Sequence, residues 1–189
     1  MNKKEFRGYI FDCDGTLVDS MPAHYAAWNE IMLNYGVQFT EKRFYELGGV
    51  SSDKIVAKLA EEAGIVLDAD AVSQEKEALF LTKVHLVEPM SKVIQIVEEV
   101  RNNFPIAVAT GSTREIAEIE LKKIGVYSWF QVIVTSEDVK RGKPFPDIYL
   151  EAAKRIGVPA KECCAFEDTD LGLEAAEAAG MAVVDIRKI

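Results

Sequence analysis

Five short apolar runs, at residues 9–11, 106–109, 132–134, 163–166 and 182–186, constrain this chain most, because stretches with helical periodicity separate the later ones. Alternating strand and helix reads as an α/β sheet, mostly parallel, with helices on both faces. The helix ends are marked as clearly. Gly36-Val37, Gly64-Ile65, Gly125-Val126, Gly157-Val158 and Gly180-Met181 each follow a helical stretch. In such pairs glycine takes the left-handed position and the next apolar residue packs back on the helix.

The first half breaks the alternation. After Leu17 the pattern turns helical and stays so to about Val87. Trp28, Ile31, Met32 and Tyr35 share one helical face, and Val56, Leu59, Ala60 and Ala63 share another. Roughly 70 residues is too long for a plain connection, so an independent helical lobe is expected directly after the first strand. The expected division is a core of residues 1–16 and 88–189, with residues 17–87 as the lobe.

Four places combine chemistry with position. Asp12-Cys13-Asp14-Gly15-Thr16 follows the first strand, where two carboxylates two residues apart point into the crevice in which α/β sheets bind ligands. Asp and Gly are equally the residues of an ordinary turn. Thr110-Gly111-Ser112 ends the second strand, and the N–H groups at the start of the next helix suit a phosphate. Ser112 and Glu115 also have capping-box spacing. Lys143 lies in the loop with Lys140 and Arg141, where Pro144 and Pro146 restrict the backbone, although most loop lysines are simply solvated. Glu167-Asp168-Thr169 follows the fourth run, and Asp168 reads as a helix N-cap or as a metal ligand. In a parallel sheet all four places fall on one edge. Together they supply what phosphoryl transfer needs: a nucleophile, a proton shuttle, hard oxygens for a divalent cation, and positive or N–H groups around the phosphoryl oxygens.

Composition narrows the setting. Net charge is −9 and no Lys/Arg-rich run occurs, so a nucleic-acid partner is not expected. An acidic protein that binds an anion needs a local device such as a metal ion or a placed lysine. The three cysteines, Cys13, Cys163 and Cys164, fit neither a zinc site nor a disulfide framework. Adjacent Cys163 and Cys164 are expected to alternate across a strand as packing residues, which suits a reducing compartment. The apolar run in MNKKEFRGYIFD is too short for a signal peptide, and nothing approaches a membrane span. A cytoplasmic monomer with no membrane partner is the expectation.

FDCDGTLVDS, TGS, Lys143 and EDTDLG, in that order and spacing, resemble the four motifs of the haloacid-dehalogenase superfamily, and the helical lobe matches the cap of its β-phosphoglucomutase-like branch. The resemblance covers essentially the whole chain. It implies a Rossmann-like core with an inserted α-helical cap and Mg2+ as cofactor. It implies that Asp12 attacks phosphorus and that Asp14 protonates the leaving oxygen and then activates water. Asp12, the backbone carbonyl of Asp14, and Asp168 are implied metal ligands, supported by Glu167. Ser112 and Lys143 are implied to hold the phosphoryl group, with Thr110, Gly111 and Thr16 as further substrate contacts. Cys13 is expected to point away from the site. His24, four residues before Trp28, is implied to lie where cap meets core, near Asp14.

Mutases of this branch grip a second phosphate with an Arg after a Gly-Val-Ser stretch in the cap. Here Gly48-Gly49-Val50-Ser51-Ser52-Asp53 puts Ser52 at that position and Gly48 where a Lys is expected. Thr16 also stands where mutases tend to carry Val. Ser20-Met21-Pro22-Ala23-His24, Trp28 and Val87-Glu88-Pro89-Met90 look like bacterial fructose-1-phosphatase-like hydrolases. The expected activity is therefore hydrolysis of small phosphorylated metabolites, such as fructose 1-phosphate. The alternatives are a β-phosphoglucomutase, with Lys54 as a replacement phosphate contact, and, more remotely, a receiver-type signalling module.

Overall fold

A computed structural model of the chain describes residues 6–48 and 50–189. The first five residues and Gly49 of the 48–53 stretch lie outside the described residues. Strand β1 (Gly8–Phe11) leads through the two-residue strand β2 (Val18–Asp19) into helices α1 (Met21–Asn34), α2 (Glu41–Glu46), α3 (Ser52–Ala63) and α4 (Ala69–Lys83). The chain returns through β3 (Glu88–Pro89) and α5 (Ser91–Val100) to β4 (Ile106–Ala109), α6 (Arg114–Lys123) and β5 (Val132–Val134). It closes with α7 (Asp147–Arg155), β6 (Cys163–Glu167), α8 (Asp170–Ala178) and β7 (Ala182–Asp185).

Five strands form one parallel sheet in the order β5-β4-β1-β6-β7. Side chains alternate across it, as a strand requires. Phe11, Val108, Cys164 and Phe166 pack on one face with Val93 and Val97 of α5 and Ile116 and Leu121 of α6. Ile10, Ala107, Cys163 and Ala165 pack on the other with Ile148 and Tyr149 of α7 and Ala175 and Ala176 of α8. Cys163 and Cys164 therefore fall on opposite faces, and all three cysteines are buried and free. The strand order runs outward in both directions from β1, so β1 and β6 flank the switch point where open α/β sheets bind ligands.

The first four helices bury a third cluster, including Trp28, Met32, Phe39, Val56 and Leu59, while Ala23, Ala27 and Phe80 face the sheet-side core. Ala63, expected on the inner face of α3, is exposed. The two chain crossings are joined by an unanticipated antiparallel ladder that pairs Val18 with Pro89 and Asp19 with Glu88. The Met90 N–H adds a bond to the Leu17 carbonyl at 3.0 Å.

Each expected glycine stop adopts positive φ, from Gly64 at 68° to Gly125 and Gly180 at 78°. At Gly36, Val37 N–H reaches back to Met32 O at 2.9 Å, and at Gly125, Val126 N–H reaches Leu121 O at 3.0 Å. These are the bonds that close a helix when its last carbonyls lack intrahelical partners. β6 runs one residue further than expected, so Glu167 ends the strand and is fully buried. β7 ends one residue earlier, and Ile186 opens a single turn. No helix among the described residues is long and apolar enough to cross a membrane.

Candidate active site

The C-terminal ends of β1, β4 and β6 deliver the expected residues to one place. Asp12 follows β1, and its N–H is bonded to Phe166 O at 3.0 Å across to β6. The Asp12 carboxylate lies on the wall of a cavity of about 1120 Å³ that Asp14, His24, Thr110, Gly111, Ser112 and Lys143 also line. Cys13, between the two acids, turns into the core, where its thiol donates to Glu120 Oε2 at 3.6 Å.

Lys143 Nζ donates to Asp12 Oδ1 at 2.7 Å and also to Glu167 Oε1. Glu167 is saturated with donors. Tyr149 Oη reaches Oε1 at 2.8 Å, and Oε2 accepts from the Asp168 and Thr169 N–H groups at 3.0 Å and from Thr169 Oγ1 at 3.1 Å. Burial pushes Glu167 up, but the Lys143 charge and these bonds outweigh it and hold the carboxyl below its ordinary value. Asp12 goes the other way. Burial first, then the Glu167 charge, raise it well above the usual carboxylate range, and Lys143 offsets only part. Asp168 is pushed up to about 6 by burial and by Glu167.

Asp12, Glu167 and Asp168 can each bring a carboxylate oxygen within 4.8 Å of the others. Asp12 and Glu167, both buried, share the Lys143 ammonium, and the half-buried Asp168 adds a third carboxyl beside them. Hard oxygens in that arrangement fit a magnesium ion. The backbone approaches closely too: a Cβ at Gly15, which has φ of 78°, would stand 2.2 Å from Asp168 Oδ2. A Cβ at Gly172 would stand 1.9 Å from Glu167 Oε1, so both acids are fitted against bare backbone. Because its two oxygens are already engaged, Glu167 suits a supporting place better than a direct ligand.

Asp14 is held by a separate set. Oδ1 accepts from Ser20 Oγ at 2.6 Å and lies 3.0 Å from His24 Nε2; Oδ2 accepts from Ser112 Oγ at 2.6 Å and Thr110 Oγ1 at 3.5 Å. Burial raises Asp14, yet His24, Ser112 and Ser20 together keep it well below the ordinary range. Lys76 Nζ lies 2.9 Å from His24 Nδ1. An ammonium only donates, so Nδ1 accepts and Nε2 carries the proton that faces Asp14. Burial and Lys76 lower His24, consistent with a neutral ring. That ring stacks on Phe80 at 3.9 Å between centroids.

Two alternative cap readings fall away, and one expected contact needs correction. Thr113, not Ser112, caps α6, accepting from Ile116 N–H, because the Ser112 hydroxyl is taken by Asp14. Thr169, not Asp168, caps α8 through Gly172 N–H. Thr16 is fully buried and donates to Asp168 Oδ1 at 3.0 Å, so it orients that acid and has no surface to offer a substrate. Sequence reasoning gave no role to Ser20, Tyr149, Lys76 or Glu120. Ser20 precedes α1 as a cap would, but its side chain makes no cap bond. Tyr149 and Glu120 lie on the buried faces of α7 and α6 and carry polar atoms there.

A family model described as haloacid dehalogenase-like hydrolase matches residues 9–186. The chain is 38% identical over 185 residues to fructose-1-phosphate phosphatase YqaB of Escherichia coli (strain K12), covering 97% of this chain and 98% of that one. It is 30% identical over 176 residues to the phosphorylated carbohydrates phosphatase of Thermotoga maritima, covering 91% and 81%. Among solved structures, a hydrolase from Pseudomonas syringae superposes with a TM-score of 0.85 at 30% identity, covering 95% of this chain and 84% of that one. A β-phosphoglucomutase from Clostridium difficile superposes with a TM-score of 0.87 at 24% identity over the same shares, a likeness of fold.

Proposed function

The chain belongs to the haloacid dehalogenase-like hydrolase family, and within it we propose a phosphatase that cleaves small phosphomonoesters, sugar phosphates such as fructose 1-phosphate above all, through an aspartyl-phosphate on Asp12. The observation that carries this reading is the pairing of Asp12 with Lys143 on the wall of a cavity that Asp14 also lines. The names of its phosphatase relatives point the same way.

In this reading, residues 17–87 form the cap over a core of residues 1–16 and 88–189, and closure excludes water and large substrates. Asp12 attacks phosphorus as the bond to the leaving oxygen breaks. Asp14 gives that oxygen its proton, then takes a proton from the water that attacks the aspartyl-phosphate, so inorganic phosphate leaves and Asp12 is restored. Four donors, from Ser20, His24, Thr110 and Ser112, hold Asp14 ionised. Ser112, turning from Asp14 to a phosphoryl oxygen, removes one of them and lets Asp14 hold a proton more readily. Lys143 neutralises the phosphoryl oxygens, with Thr110 and Gly111 beside them. Asp12, Asp168 and the Asp14 carbonyl, with Glu167 in support, would hold Mg2+, whose positive charge would relieve repulsion between carboxylate and phosphate.

Family membership leaves the receiver-module alternative without support. Against the mutase, Ser52 lies in the cavity wall where a basic grip on a second phosphate would be needed. The test is product analysis in Mg2+ buffer. Fructose 1-phosphate should release inorganic phosphate steadily, and β-glucose 1-phosphate with a trace of bisphosphate should give little glucose 6-phosphate. Fast conversion to the 6-phosphate without phosphate release would replace this reading with the mutase.

A further inference from the structure

The cap side of the cavity presents a carboxylate that chemistry at Asp12 does not use. Glu77 of α4 lines the cavity with its neighbour Lys76 and with Ser52, the first residue of α3. Ser52 Oγ donates to Glu77 Oε1 at 2.8 Å, and Lys76 Nζ donates to the same oxygen at 3.2 Å. Lys76 goes on to His24, and His24 to Asp14, so an unbroken run of contacts ties Glu77 to the acid that faces the leaving oxygen.

This run decides what charge the cap shows a ligand. Lys76 is 2% exposed, its ammonium engaged by His24 and Glu77 and placed over the Trp28 and Phe80 rings at 5.3 and 5.5 Å. It has little left to give an anion. The Glu77 side chain keeps 27% of its surface, and Oε2 has no protein hydrogen-bond partner among the described residues. Lys54 also lines the cavity, but as an exposed side chain.

We propose that Glu77, oriented by Ser52, is a subsite for the hydroxyl-bearing end of a sugar or polyol monophosphate, and that it turns away a second phosphate. The proposal rests on the phosphatase reading above. A carboxylate only accepts hydrogen bonds, so it rewards hydroxyl donors with charge-assisted bonds. Toward a second phosphate it is a like charge in a partly enclosed cavity, where screening by water is weak. Selectivity of this kind comes from the repulsive element as much as from the attractive one.

The test measures binding of fructose 1-phosphate and fructose 1,6-bisphosphate by titration calorimetry in Mg2+ buffer. Asp12→Asn protein is used so that neither ligand turns over. The monophosphate should bind about tenfold or more tightly than the bisphosphate. Adding Glu77→Gln should move that ratio about tenfold toward the bisphosphate while weakening the monophosphate. Ser52→Lys, which sets a cation beside Glu77, should shift the ratio in the same direction and serves if the Gln variant does not fold. A ratio unmoved in the folded variants, or equal affinity for both ligands before any change at Glu77, overturns the subsite. Because binding is read without turnover, failure of the natural chain to release phosphate would count against the phosphatase reading alone.

Discussion

Lys143 Nζ stands 2.7 Å from Asp12 Oδ1 with both side chains almost wholly buried, and the same ammonium also serves Glu167. In the proposed reaction, a cation placed between these two acids contributes mostly when charge builds up in the transition state. Lys143→Ala should therefore lower kcat by a factor on the order of 10²–10³. Lys140→Ala, in the same loop but exposed, should change it little. Steady-state phosphate release by the two purified variants decides this, with circular dichroism to confirm folding, since loss of Lys143 leaves buried acids without their cation. Equal small effects would make Lys143 an ordinary loop lysine.

Asp12→Asn keeps the size of the side chain and leaves Lys143 an amide oxygen to meet. The fold should survive and phosphate release should fall by orders of magnitude, because an amide is a far poorer nucleophile than a carboxylate. Near-normal turnover by folded Asp12→Asn protein would remove Asp12 from the reaction.

Magnesium dependence should carry a pH signature. Asp168 is pushed up to about 6 by burial and by the Glu167 charge, while the Thr16 hydroxyl and Lys143 pull against that rise. A protonated carboxyl is no metal ligand, so binding of Mg2+ must displace this proton. Apparent affinity should weaken as pH falls through about 6, by roughly tenfold per pH unit for each proton displaced, with Asp12, also raised by burial and Glu167, adding to the dependence. Thermal shifts with added MgCl2 at several pH values measure this, and Asp168→Ala should lose most of the shift. Full activity in excess chelator would refute the metal assignment.

The sheet, the glycine stops and the helical lobe were legible because each rests on a local rule: apolar periodicity, or a backbone position that favours positive φ. What escaped was decided at long range. Ser112 and Thr113 are adjacent and equally able to cap α6; Asp14, distant in sequence, takes the Ser112 hydroxyl and leaves Thr113 to cap. The same holds at α8, where Thr16 engages Asp168 and Thr169 caps. The ladder between β2 and β3 is two residues long, too short to leave a pattern. Lys76 looks like a surface residue of α4 until His24 and the aromatic rings close over it. Glu120 was legible in principle, since it lies four residues after Ile116 and beside Leu121 on the apolar stripe of α6.

Glu120 gives the last prediction. It is fully buried, and among the described residues Oε2 meets only the Cys13 thiol and Oε1 has no hydrogen-bond partner. Burial first, then the Asp14 charge, push its carboxyl well above the ordinary range, with Cys13 and Lys76 pulling only partly against them. The folded chain therefore keeps a proton that the unfolded chain releases above pH about 4.3. The stabilising effect of that proton is complete below pH about 4.3 and is lost progressively as pH rises toward the folded value. Glu120→Gln, neutral at every pH, should match the natural chain near pH 4 and gain on it steadily toward neutrality. Glu120→Leu should go further, by about 1–3 kcal/mol, because an apolar residue in a buried site avoids the cost of an incompletely paired acid. Thermal denaturation from pH 4 to pH 8 measures both. If the Gln and Leu variants are instead less stable at neutral pH, with the pH slope unchanged, Glu120 is ionised in the fold and paired with His24, whose Nε2 lies 3.8 Å from Oε1.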